Sequence, residues 1–113
     1  MGRGLLDATL APPREAVFFS AQAVRKQFET GGLLLDAPGY KLDAARRTGP
    51  GEVELHEHVV DVMRVVAGHA KVVTGETTHE LNEGDVLVIP NRVSHQFIDA
   101  SDPFLYFVTK VEV

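Results

Sequence analysis

The chain contains no cysteine. Disulfides, thiolate metal sites and thiol nucleophiles are excluded together, which leaves His, Asp and Glu as the strong metal-ligand side chains. Long apolar runs are missing as well. Nothing approaches the ~20 apolar residues that a membrane-spanning helix needs, and Asp7 and Thr9 interrupt the N-terminal stretch where a signal peptide would be continuous. Basic residues cluster only as the doublets Arg25-Lys26 and Arg46-Arg47, and the net charge of −5 is modest. No nucleic-acid footprint follows from that distribution. No Ser-His-Asp order, glycine-rich phosphate loop, paired-carboxylate glycosidase pattern, internal repeat or low-complexity segment stands out. The expectation is a soluble cytoplasmic protein with neither nucleic-acid nor membrane partners.

What is present reads as one globular domain. With 113 residues the chain has room for a single core, and 44% apolar with 24% charged residues is an ordinary balance for a folded protein. Residues 1–16 hold Gly2, Gly4, Pro12 and Pro13 without a clear period. They are expected to form an arm that docks on the domain at 17–113 or on a second subunit. Ser20 precedes Ala21, Val24 and Phe28 at helical spacing, and Gly31-Gly32 follows, which are the start and stop signals of one short helix. Beyond Gly32 come short segments at 33–36, 40–46, 52–58, 61–67, 70–74, 78–81, 86–90, 95–99 and 104–111. Turn residues separate most of them, as in Pro38-Gly39, Gly75-Glu76 and Glu83-Gly84. Eight or nine short strands at this spacing predict an all-β sandwich or closed barrel.

Three of the five histidines fall in informative places. His56 and His58 lie two apart in a segment expected to be a strand, so both rings would project from one face together with Glu52 and Glu54. Val53 and Leu55 take the other face. Such a polar face is either solvated or turned toward a polar cavity. Further on, Gly84-Asp-Val-Leu-Val-Ile-Pro90 leads through a turn to His95, with Phe97 and Asp99 sharing its parity. His69 and His79 are expected on the surface.

The two segments together resemble the paired motifs of the cupin superfamily, G-x5-H-x-H-x3,4-E-x6-G and G-x5-P-x-G-x2-H-x3-N. The chain offers Gly51, His56, His58, Asp61 and Gly68 for the first, and Gly84, Pro90, His95 and Asp99 for the second. It departs from them in spacing and in residue type. Four residues rather than five separate Gly51 from His56, and only Val59 and Val60 stand between His58 and an acid that is Asp rather than Glu. In the second motif Arg92 stands in the glycine position and Asp99 in the Asn position.

The resemblance implies a jelly-roll, or double-stranded β-helix, barrel with one divalent metal ion (Fe, Mn, Ni, Zn or Cu). The ligands would be His56, His58 and His95 with Asp61 as the fourth. Glu54 would be the general base or the substitute carboxylate. Met63, Val65, Phe97 and Tyr106 are the candidate pocket-lining residues. The implied activity is that of a metal-dependent oxidoreductase, dioxygenase-like, acting on a small organic molecule. An isomerase or lyase and a non-catalytic metal- or ligand-binding module are the alternatives. The resemblance also implies a homodimer.

Overall fold

The computed structural model describes residues 11–113. The expected arm at 1–16 therefore lies largely outside the described residues, and those from Ala11 to Ser20 run without regular structure into the helix.

Helix α1 spans Ala21–Thr30. The Ser20 side chain accepts a hydrogen bond from the Ala23 N–H at 3.1 Å, which satisfies one of the amides that a helix start leaves without a partner. At the other end Gly31 takes φ 78° and its N–H donates to the Gln27 carbonyl, a conformation that costs a glycine nothing. Phe28 is the buried residue of α1, and its ring meets Phe107 edge-on at 5.2 Å.

Eight strands follow: β1 Gly32–Ala37, β2 Tyr40–Arg47, β3 Val59–Ala67, β4 Ala70–Thr74, β5 Thr77–Leu81, β6 Val86–Ile89, β7 His95–Ala100 and β8 Phe104–Glu112. They form two antiparallel sheets, one ordered β1-β2-β8-β3-β6 and the other β5-β4-β7. The all-β class expected from the segment pattern is thus observed, in the jelly-roll form that the resemblance implies. One expected strand is not. Residues 52–58 make a single bridge, Glu54 to His95, and then bend at Glu57 and His58. Alternation of polar and apolar groups signals an extended chain there, but the pairing with β7 stops at the one bridge because the chain bends away at Glu57 and His58.

The core lies between the sheets. Asp61, Met63 and Val65 on β3 and Phe104, Tyr106 and Val108 on β8 are buried at alternate positions, facing Val72 on β4 and Phe97 on β7. Val65 belongs to this core cluster and, unlike the other candidate pocket residues, does not line the cavity described below. Phe97, Phe104 and Tyr106 form an aromatic trio with ring centroids 4.9–5.8 Å apart, and burying each ring contributes roughly 1.5–3 kcal/mol. Arg92, in the turn between β6 and β7, takes φ 66°, so an arginine adopts there the left-handed backbone that usually calls for glycine. Among the described residues no helix is long and apolar enough to cross a membrane.

Candidate metal centre

The side chains that converge at one end of the barrel come from three places. Asp61 points inward from β3 at 1% exposure. Directly opposite it on β8 is Lys110, whose Nζ donates to Asp61 Oδ1 at 3.1 Å. This is the cross-strand pairing of opposite charges that an antiparallel ladder favours. His95 opens β7 and is buried at 5% exposure. Its backbone exchanges two hydrogen bonds with Glu54, N–H to carbonyl at 2.8 and 2.9 Å. Residues opposed in this way carry side chains on the same side, so the single bridge is enough to place the half-exposed Glu54 beside His95 on the cavity wall. The backbone carbonyl of His56 accepts from the Arg92 N–H at 2.7 Å, which anchors the next residue of the cluster.

The resulting geometry is compatible with a metal-ligand set. One ligand atom each from Glu54, His56 and His95 lies within 4.8 Å of the others. Asp61 Oδ2 is 3.6 Å from His56 Nε2 and 3.8 Å from His95 Nε2, and Glu54 Oε1 is 3.4 Å from His56 Nε2. The His95 Nδ1 lies 3.3 Å from the Val93 carbonyl. That contact holds the proton on Nδ1 and turns the Nε2 lone pair toward the cluster, as outer-shell carbonyls do for metal-binding imidazoles. The His56 Nε2 is buried and has no hydrogen-bond partner. Such an orphan is costly in a protein interior, and a divalent cation bound to two imidazoles and one or two carboxylates would satisfy it. The residues present therefore fit a metal ion.

The structure does not bring all the expected ligands together. His58 lies in the bend ahead of β3 and is exposed, outside the cluster, while its carbonyl accepts from the Val113 N–H at 2.9 Å. The expectation that His56 and His58 share one strand face fails because the chain turns between them. The interval to Asp61 carried the signal. Counted from His56, four residues precede Asp61, as the motif allows; counted from His58, two do. Glu54-x-His56 thus stands where the motif has H-x-H, and a carboxylate replaces its first histidine. His79, set aside as a surface group, is half-buried and meets the Thr74 hydroxyl at 2.8 Å.

Next to the cluster is a cavity of about 200 Å³ lined by Asp43, Ala45, Arg47, Glu54, Asp61, Met63, His95, Phe97, Tyr106, Val108 and Lys110. Met63, Phe97 and Tyr106 were expected in it. Arg47 and Lys110 were not, although their parity along β2 and β8 places them on the inner face. The Arg47 Nε donates to the Tyr106 hydroxyl at 3.1 Å, and the guanidinium lies 4.1 Å over the Phe97 ring. Burial pushes the Tyr106 hydroxyl above the ordinary phenolic range, and the charge and hydrogen bond of Arg47 offset part of that rise.

Comparison with known proteins bears on this geometry. A family model described as Cupin domain matches residues 46–109, more than half of the chain. The chain belongs to the cupin family. No curated protein matches the sequence. Among solved structures, BH2720 from Bacillus halodurans superposes with a TM-score of 0.73 at 14% identity, covering 92% of this cupin and 87% of the other chain. KdgF from Halomonas sp. gives 0.67 at 19% identity, over 74% and 77% of the two chains. A cupin-2 domain containing protein from Shewanella frigidimarina NCIMB 400 also gives 0.67, at 16% identity over 81% and 99%. At such identities the likeness is one of fold.

Proposed function

We propose that this cupin is a metal-dependent enzyme of the oxygenase type, acting on a small organic molecule held in the cavity beside Glu54, His56, Asp61 and His95. The observation that carries the reading is the buried, partnerless Nε2 of His56 facing two carboxylates and a second imidazole. Two histidines with a carboxylate are the donor set of non-haem iron oxygenases. When bound, the ion supplies a Lewis acid for substrate oxygen atoms and, if it is redox-active, a partner for oxygen.

The residues of the chain do the rest. Met63, Phe97 and Val108 form the apolar part of the cavity wall beside the cluster. Glu54, on the cavity wall, is the carboxylate that would take a proton from the substrate. Tyr106 keeps its proton and presents it as a donor, since its hydroxyl oxygen already accepts from Arg47. These proton-carrying groups also favour a second reading, a metal-dependent isomerase or lyase without redox chemistry.

Oxygen uptake by the Fe(II)-reconstituted protein over a panel of diketones, catechols and thiols separates the two. Uptake is expected with iron and none with zinc. Turnover that is equal with zinc and independent of oxygen assigns the second reading. A tight co-purified ligand with no turnover under either metal identifies a binding module instead.

A further inference from the structure

Arg47 is an expensive residue to keep in a cavity of this size. A charged group largely withdrawn from water needs a counter-charge and satisfied donors, and the Arg47 side chain is 23% exposed. Its surroundings hold it in place on three sides. Phe97 supports the flat face at 4.1 Å, and Tyr106 takes the Nε proton at 3.1 Å. Gly51 lies against Nη1 so closely that a Cβ there would collide with the guanidinium. Among the described residues the two terminal nitrogens make no hydrogen bond. Glu54 Oε2 stands 3.7 Å from Nη2, beyond hydrogen-bond distance, while its other oxygen faces His56. The carboxylate that stands nearest to Arg47 as an ion-pair partner is therefore shared with the metal cluster.

The cavity charges sharpen the point. Three carboxylates, Asp43, Glu54 and Asp61, face two cations, Arg47 and Lys110, and Lys110 is already bonded to Asp61. A bound divalent ion would reverse the balance, leaving one positive charge in excess, and Glu54 would be among the residues that hold it. A planar fork with two outward donors matches a carboxylate in shape, and one negative charge restores neutrality. At about 200 Å³ the space is below the 300–1,000 Å³ of sites for drug-sized ligands.

We propose that Arg47 is the specificity-determining residue of the cavity and selects a small molecule bearing a single carboxylate, which it grips through its two terminal nitrogens with the Tyr106 hydroxyl beside it. This rests on the reading of the cluster as a metal centre, since Glu54 would be among the residues that hold the ion.

NMR titrations of the zinc-loaded protein with propionate, its uncharged isostere propionamide, and inorganic phosphate test the proposal. Zinc uptake is measured first. Propionate is expected to bind at least about tenfold more tightly than propionamide, and more tightly than phosphate. Arg47→Met is expected to abolish that preference with zinc uptake unchanged, and Arg47→Lys, which keeps the charge but not the fork, to reduce it. If Arg47→Met fails to fold, Arg47→Lys and Gly51→Ala, which crowds the guanidinium, carry the comparison. Equal binding of acid and amide, tighter binding of phosphate, or a preference that survives in all the variants overturns the proposal while leaving the metal centre standing. Absence of zinc uptake by the wild type overturns the metal reading. The same titration on the metal-free protein then decides Arg47 alone: a preference lost in Arg47→Met supports it, and no preference overturns it.

Discussion

A carboxylate at 1% exposure needs partners, and Asp61 has three nitrogens around it, from Lys110, His56 and His95 at 3.1, 3.6 and 3.8 Å. Only the first is a hydrogen bond. The other two are set at the spacing of ligands around a shared ion rather than of donors to an acid. Alanine at His56 or His95 is therefore expected to lower zinc affinity by more than the roughly 10–100-fold that loss of an outer-shell partner costs. Alanine at His58 should leave it unchanged. Metal titration of the three variants checks this, and a loss in His58→Ala as large as in His56→Ala would contradict the assignment.

Tyr106 offers a second test at the same scale. Its pKa is raised by burial in the folded protein, so the unfolded chain releases the proton first, near pH 10. Stability from the buried hydroxyl is then complete below about pH 10 and is lost as the pH rises through the folded value. The chain has two tyrosines, so Tyr40→Phe leaves Tyr106 as the sole absorbance probe. Its titration midpoint should lie above about 10, and a midpoint at or below that value would remove the burial argument.

Elements explain which parts of the site could be read in advance. The β3, β6, β7 and β8 segments declare themselves as short apolar-rich runs between turn residues, and the folded strands bury Asp61, His95, Phe97 and Tyr106 at alternate positions, although parity in the sequence alone does not decide Tyr106. Residues 52–58 alternate as well, yet only Glu54 is bridged. Whether an extended segment continues or bends after its last bridge depends on a partner far away in the chain, here His95, and local periodicity carries no record of it. That is why His58 looked equivalent to His56, and why Arg47, on a strand whose composition is mixed, went unnoticed. The turns are more legible. Gly68, between β3 and β4, takes φ 86°, and a Cβ there would meet the Ser101 hydroxyl and, at 2.7 Å, the Pro103 carbonyl. Left-handed backbone costs a non-glycine residue about 1–2 kcal/mol, and an unyielding carbonyl adds to it. Gly68→Ala should lower unfolding stability by at least about 2 kcal/mol, read as a shift in urea midpoint with unchanged slope. An unshifted midpoint would show that the turn relaxes.

In the whole molecule, the two sheets enclose apolar side chains around the Phe97–Phe104–Tyr106 trio and place the charged cluster next to that trio. The outer face of the larger sheet leaves Val86 and Val88 on the edge strand β6 exposed at 60% and 53%. The expected homodimer is a proposal, and light scattering at twice the chain mass would support it while a single mass would overturn it.

The position of the cluster has a consequence for stability that does not depend on assembly. Glu54 and His56 sit on a segment held to β7 by the one bridge at His95, and Asp61 ties the cluster to β3 in the other sheet. An ion bound by all of them links the two sheets in the folded state and has no equivalent site in the unfolded chain. Binding then stabilises by mass action, about 2.7 kcal/mol when free metal exceeds its dissociation constant a hundredfold. For a domain of this size that corresponds to a melting shift on the order of 10 °C. Zinc should raise the melting temperature of the chelator-treated wild type and of His58→Ala alike, and leave His95→Ala where it was. Identical melts of the wild type with and without metal would mean that these four side chains converge without holding an ion.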